Sequence, residues 1–581
     1  MKEDRAQISN LRSEISNSSP FITHHSSFVL ALTALLVVLY VGARAWRLTG
    51  SCLWFDEIFG VHAARHTWGG LWSFVAADLI HPPLFYALLK IWVAAGGESL
   101  PWLRLFPLLA AVACLLPFLL LARSLRLSPA QTNLSLLLFA ANGYLIKYAQ
   151  EVRMYSLLLF FTLGSLWLFV RFLRAGGATR GPLLALAACN LLLIYTHYYG
   201  WLVVVTEAAF LLFKDRKKFK PFLLGAAALV LCFAPWVYAC AAAAAGEGGG
   251  LAQNIGWIKR PRPVEFAQFF ALLQEPFYFR QSSHEPLYAR GGAFAGLLLL
   301  GLPVLLLVLR ELTRAFRAAR GSRATDTHGT TQTRDTEAMN EAEPEKDAAP
   351  PQDDSSRQVD SSLATHFLIF FSFIPPALAF LVSYALPHSV WGTRHLIIAA
   401  APYMLLAAVA VLGARPRWLK ITLVVLLCAW YFLAGLLTLA RREGTHVWCA
   451  WESLAAPLAR AEAEGAGRAA ELYAFEDLVA YHLWFALGGE RGRFRVSVVK
   501  NVPGLQEDPA YFLPREFKEV EVRDAGALGG ERFWVAFRDT AWDEGRQPLK
   551  LLKERGYRAE KIFETGAQGQ RAFVVLVSRA Q

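Results

Sequence analysis

Long apolar runs separated by short polar connections organise the first three quarters of the chain, and a different pattern takes over near residue 441. Runs at about 27–46, 104–122, 153–172, 201–213, 293–309, 395–413 and 419–440, with the apolar runs between them, predict about eleven membrane-spanning helices. Residues 82–97 hold only about a dozen apolar residues together with Lys90, so this piece is predicted to lie in the membrane interface rather than to cross. Just before it, HTWGGLWSF at 66–74 has the Trp-rich character of an interfacial helix. Residues 1–26 are polar, rich in Ser and Asn, and lack the cleavage site of a secretory signal, which predicts a short cytoplasmic tail. Residues 311–362 are basic beside the membrane and then rich in Thr, Asp, Glu, Pro and Ser, the composition of a disordered tether. From 441 onward, strand-like runs ELYAF (471–475), FRVSVV (494–499), RFWVAF (532–537) and RAFVVLV (571–577) alternate with helical stretches such as DLVAYHLWFAL (477–487). The expected fold is therefore an all-α polytopic membrane protein with interfacial helices in the first outer loop and a small C-terminal α/β soluble domain. Its expected divisions are a tail at 1–26, a membrane module at 27–310 with an outer loop at 47–103, the tether at 311–362, further membrane helices at 363–440, and the α/β domain at 441–581.

Composition agrees with the pattern. A hydrophobic fraction of 55% and a mean hydropathy of +0.35 over 581 residues are too apolar for a soluble enzyme of this size. The net charge of +12 does not call for nucleic acid, because Lys and Arg fall in short clusters between the apolar runs. With 82–97 left in the interface, the clusters RSLR, RFLRAGGATR, KDRKKFK, RELTRAFRAARGSR and RPRWLK all fall on the cytoplasmic side. The tail from 441 then lies outside. The seven cysteines indicate neither a zinc site nor a disulfide framework, although Cys52 and Cys449 could meet outside the membrane.

On this topology the unusual polar residues collect on the outer face. WFDEIF (54–59) supplies Asp56 and Glu57, and IHPPLFY (80–86) supplies His81. Arg104 stands at the entrance to a span, and YAQEVRMYSL (148–157) brings Glu151, Arg153 and Tyr155. THYYGW (196–201) brings His197, WIKRPRP (257–263) brings Lys259, Arg260 and Arg262, and WGTRHLI (391–397) brings Arg394 and His395. Each has a bland reading. Asp56 could cap an interfacial helix and His81 could start the next one. Arg104 and Arg153 could snorkel, and His197 could be a hydrogen-bonded interfacial histidine. Their coincidence on one face favours a site where cations hold phosphate and a carboxylate takes a proton from a polar acceptor. Arg153 and Arg394 are the expected phosphate partners, since each sits at a membrane edge and Arg grips phosphate through two parallel hydrogen bonds.

WFDE, IHPP, QEVRMY and the late WGTRHLIIAAAPY resemble the GT-C superfamily of glycosyltransferases that use polyprenyl-phosphate sugars, over about 28–440. The bacterial branch related to protein O-mannosyltransferases and to the aminoarabinose transferase of lipid A is the most similar. The resemblance implies that Asp56 is the catalytic carboxylate, Glu151 the second acid of the site, and the donor a lipid phosphate carrying a hexose or pentose such as mannose. It implies an inverting transfer to a lipid, glycan or protein acceptor, on the outer face of a plasma membrane such as the bacterial inner membrane. It also raises a divalent cation, since in some relatives an acid at the position of His81 joins a later histidine around one. Here His81, with His197 and His284 available, would suit zinc or another transition ion, and no metal is expected to be obligatory. The alternative from another class is a transporter or flippase, for which Glu207 is the one clear mid-span acid.

Overall fold

The computed structural model describes residues 20–579 apart from 177–179, 246–255, 257, 278–290, 327–353, 441–448, 464–468, 506–511, 513–516, 518 and 568–569. Among these, eight helices are long and apolar enough to cross a membrane: Ser27–Ala45, Leu100–Ser124, Tyr155–Arg174, Arg216–Ala245, Phe294–Arg317, Ser362–Ala385, Thr393–Leu412 and Arg417–Ala440. Three of the expected spans correspond to shorter helices, Pro129–Ala141, Arg180–Thr196 and Gly200–Lys214. The segment expected in the interface is a 13-residue helix, Leu84–Gly96. The tether differs at its ends: helices run on to Asp326 and resume at Asp354, so the interior 327–353 alone lies outside the described residues.

Two short helices in the loop after the first long apolar helix carry the acidic motif and lead to the His-Pro-Pro. Phe55–Arg65 starts at Trp54, whose backbone N–H donates to Glu57 Oε2 at 3.0 Å, so the acid three residues in anchors the first turn. Trp68–Asp78 is capped by Thr67, whose hydroxyl accepts from Gly70 N at 3.1 Å. It stops at Leu79 in the left-handed region, φ 61°, and Pro82 and Pro83 preclude helix continuation through His81. The chain therefore turns sharply at Asp78–Pro83 and presents His81 inward, 4% exposed.

The C-terminal domain is a six-stranded sheet in the order β3-β2-β1-β4-β6-β5, with β1 Ala470–Ala474, β2 Phe494–Lys500, β3 Glu521–Asp524, β4 Arg532–Asp539, β5 Tyr557–Ala567 and β6 Gln570–Arg579. β1 pairs in parallel with β2 and β4, while β6 pairs antiparallel with β4 and β5. Alternation sends Leu472 and Ala474 of β1 into the large core that continues into the membrane helices, and Tyr473 and Phe475 into a separate cluster under Leu549–Glu554.

That large core joins the domain to the acidic-motif helix. Phe517 stacks on His62 with centroids 4.0 Å apart, and His62 Nε2 lies 3.2 Å from Glu519 Oε1. Burial pushes His62 down to about 3, so the neutral imidazole donates its N–H to the carboxylate. Arg65 pairs with Glu98 and leans on Trp484 and Phe485 of the helix Asp477–Ala486. A disulfide between Cys52 and Cys449, 397 residues apart in sequence, closes the same junction. The pair that could meet does so, and it puts the first loop and the start of the C-terminal domain on one side of the membrane.

Candidate active site

Asp56 and Glu57 sit side by side on one helix and face different partners. Glu57 is fully buried and serves the loop itself. Its Oε1 accepts from Val152 N at 2.6 Å and from Arg104 Nη1, and its Oε2 accepts from Arg104 Nη2 at 3.1 Å as well as from Trp54 N. Arg104 also donates to the carbonyls of Cys52, at 2.7 Å, and Gln150. Arg104, expected to bind substrate, is buried and ties the Cys52–Glu57 turn to the Gln150–Val152 turn, with both Nη atoms hydrogen-bonded.

Asp56, 5% exposed, faces the other way. Its Oδ2 accepts from Arg394 Nη1 at 3.1 Å, and its backbone carbonyl accepts from Arg153 Nη1 at 2.9 Å. Arg153 extends to the Tyr86 hydroxyl at 3.3 Å and to His81 Nε2 at 3.4 Å. A guanidinium has only hydrogens to give, so His81 Nε2 is the acceptor. Its Nδ1 then faces Asp78 Oδ2 at 3.4 Å as donor. Burial, helped by Arg153 and opposed by Asp78, holds His81 down to about 4, which keeps it neutral.

His197 and His395 complete a cluster with His81, their ring centroids 4.6 Å apart and each 5.5–6.3 Å from that of His81. His197 Nδ1 accepts from Tyr199 N at 3.0 Å, and burial, with His81, Arg153 and Arg394 around it, keeps its pKa well below the ordinary value. Among the described residues, Nε2 of both His197 and His395 is buried without a hydrogen-bond partner, as is the Tyr155 hydroxyl. Tyr155 stacks at 6.2 Å from His395 and meets Tyr148 edge-on at 4.7 Å. Glu151 lies 3.4 Å from Lys147 through Oε1, and its buried Oε2 has no partner among the described residues.

Asp56, Glu57, His81, Arg104, Arg153, Tyr155, Glu151, His197, Arg394 and His395 thus gather around one region. Lys259 and Arg260 do not join it: both are exposed, and Arg260 donates to the Leu386 carbonyl at 3.4 Å. Arg262 pairs with Glu265, and His284 lies outside the described residues. Residues that sequence reasoning did not assign are Asp78, Tyr86, Tyr199 and Lys147. Asp78 had a legible signal, since an acid three residues before a histidine at a helix end can orient its ring.

The three histidines offer nitrogens within 4.8 Å of one another, which raises the question of a divalent ion. The donor set does not fit one. A metal needs a lone pair on each ligating nitrogen. The His197 lone pair at Nδ1 already receives the Tyr199 N–H, which leaves the proton on Nε2, and that of His81 at Nε2 receives Arg153. Two guanidinium groups beside the cluster add repulsion.

No protein-family model matches this chain, and no curated protein matches it. Solved structures that it is similar to include ArnT from Cupriavidus metallidurans bound to undecaprenyl phosphate, at 14% identity and a TM-score of 0.49, covering 95% of this chain and 98% of that one. They also include the Archaeoglobus fulgidus oligosaccharyltransferase tethered with an acceptor peptide, at 13% identity and a TM-score of 0.41, covering 95% of this chain and 74% of that one. The same enzyme in complex with Zn and sulfate is similar at 13% identity and a TM-score of 0.38, covering 92% and 72%.

Proposed function

We propose that this chain is a membrane glycosyltransferase of the GT-C type, which moves a hexose or pentose from a polyprenyl phosphate to a lipid, glycan or protein acceptor. The observation that carries the reading is the buried carboxylate of Asp56 held against Arg394, with Arg153 hydrogen-bonded to the Asp56 carbonyl, at the mouth of apolar spans. A carboxylate beside two guanidinium groups at a membrane edge suits an acceptor hydroxyl and a lipid-borne phosphate together.

In the transfer, Asp56 takes the proton of the acceptor hydroxyl as its oxygen bonds to the anomeric carbon. The bond from that carbon to the phosphate oxygen breaks on the opposite face, the configuration inverts, and the polyprenyl phosphate leaves with the electron pair. Arg153 and Arg394 receive its charge. Glu151, with one free buried oxygen, is the second acid and orients the acceptor.

The Cys52–Cys449 bridge supports an extracytoplasmic site, since such bonds persist in oxidising compartments. That agrees with the basic clusters facing a cytoplasm, as for an enzyme of a plasma membrane. The transporter reading gains nothing from Glu207, which is closed into a polar knot with Ser165 and Asn190. Purified protein incubated with a panel of polyprenyl-phosphate sugars carrying labelled sugar, and with candidate acceptors, tests the reading. Transfer of label supports it, and release of label to no acceptor or water across the whole panel counts against it.

A further inference from the structure

We propose that the His81–His197–His395 cluster is an anion site, in which His197 Nε2–H and the flanking guanidinium groups hold a phosphate oxygen, and that it is not a metal centre. The inference rests on the lipid-phosphate reading for its natural ligand, but its argument is one of proton positions.

Each ring has two nitrogens, and a neutral ring has one proton to distribute between them. The Tyr199 backbone N–H points at His197 Nδ1 from 3.0 Å, so that nitrogen must be the acceptor and Nε2 must carry the hydrogen. His197 is 2% exposed and Nε2 meets no acceptor among the described residues, which leaves a buried N–H donor with its hydrogen bond unmade. Such a group costs stability unless something fills the role, and the missing partner of a donor is an oxygen. The neighbours select the sign of that partner. Arg153 lies 3.4 Å from His81 and acts with Arg394 on His197 and His395, while the two carboxylates nearby are engaged, Asp78 with His81 Nδ1 at 3.4 Å and Asp56 with Arg394 at 3.1 Å. The Tyr155 hydroxyl, also fully buried and unpartnered, offers a further hydrogen beside His395. Guanidinium, imidazole N–H and phenol are donors, and a phosphate oxygen accepts from all of them.

The test uses full-length protein in lipid nanodiscs, with no acceptor and no turnover. Two ligands are measured separately, a polyprenyl monophosphate and inorganic phosphate, and metal content is determined on the same samples. His197→Leu should weaken binding about tenfold or more, as expected for losing a hydrogen bond to a charged group. His197→Gln keeps an N–H within reach of the same point while being a poor zinc ligand, and should stay within about threefold of wild type. Thermal unfolding of both variants confirms that they are folded, and the Gln variant keeps the comparison informative if Leu is not tolerated. An effect on the polyprenyl phosphate alone identifies the lipid headgroup as ligand, and an equal effect on inorganic phosphate identifies the anion itself. Near-stoichiometric zinc in the wild type, lost equally in both variants, overturns the inference, as does unchanged binding of both ligands in His197→Leu. Binding that depends on His197 in a protein that transfers no sugar would sink the glycosyltransferase reading and leave this one standing. Sugar transfer with binding indifferent to His197 would do the reverse.

Discussion

Arg394 Nη1 donates to Asp56 Oδ2 across 3.1 Å, joining the WGTRHLI motif to the WFDEIF motif over 338 residues of sequence. The pair couples the two halves of the proposed reaction. While Arg394 holds Asp56, the guanidinium occupies one face of the carboxylate through Oδ2. A donor phosphate that takes over part of the Arg394 fork leaves Asp56 freer to accept the acceptor proton. Asp56→Asn keeps the shape and can keep a contact to Arg394 but has no basicity. Turnover should fall by at least about a hundredfold, within the usual range for losing a general base, with donor binding close to normal. Near-normal turnover in Asp56→Asn, with Glu151→Gln inactive, would move the base to Glu151.

Arg394→Lys keeps the charge and loses the fork. The guanidinium carbon lies 5.8 Å from the centre of the Trp54 ring, a cation–π distance. The expected outcome is a several-fold rise in the donor concentration needed for half-maximal rate. A donor-concentration curve identical to wild type would remove Arg394 from the donor site.

Glu57 should behave quite unlike its neighbour. Its carboxylate and Arg104 are 0% and 2% exposed, and the pair is the brace between two turns of the outer loops. Glu57→Gln leaves a buried guanidinium without a counter-charge, and breaking such a pair from one side costs about 3–5 kcal/mol. Thermal unfolding in detergent should show a clear drop for Glu57→Gln and little change for Asp56→Asn. Equal midpoints in the two variants would refute the division of labour.

The disulfide offers a third independent reading of the same loop. Cys52 lies four residues before Asp56, and its carbonyl accepts from Arg104 at 2.7 Å. Cys52→Ser should lower stability by about 2–5 kcal/mol and reduce turnover, chiefly by loosening the loop around Asp56. Non-reducing electrophoresis after trypsin cleavage should keep the N-terminal and C-terminal fragments together in wild type and release them in the variant. Fragments that separate without reductant in the wild type would exclude the bridge.

Most of this arrangement was legible where the signal is local. The four expected strands each correspond to a strand of the sheet, because apolar runs of five to seven residues bury both faces. β3 and β5 were missed, since EVRD and YRAEKIFETGA lie at the sheet edges and carry charges that mask the alternation. The acidic pair, the His-Pro-Pro turn and Arg153 were readable from residue types at breaks in apolar runs. The Arg104–Glu57 pair is not legible, because a charge at a span entrance looks the same whether it faces a ligand or a buried carboxylate 47 residues earlier. The exposed placement of Lys259 and Arg260 is not legible for the related reason that a basic cluster in a loop does not say which way it points.

The buried acid within the membrane helices separates the enzyme from the transporter reading. Glu207 on Gly200–Lys214 accepts from Asn190 Nδ2 at 2.8 Å, and Ser165 Oγ lies 2.6 Å from both Glu207 Oε1 and Asn190 Oδ1. Three helices are thereby tied through their polar side chains, and all three residues are 0–1% exposed. Interhelical hydrogen bonds of this kind contribute about 0.6 kcal/mol each, rarely more than about 1.7. A transport site would need the acid to meet its substrate or exchange a proton, whereas a tie needs only hydrogen bonding. Glu207→Gln keeps an acceptor oxygen and adds a donor, so sugar transfer should stay within about threefold of wild type. Glu207→Leu removes the knot and should lower the unfolding midpoint by a few degrees, without changing the donor concentration dependence of the protein that remains folded. A Glu207→Gln variant that folds normally and has lost all activity would make the acid part of the working cycle and revive the transporter reading.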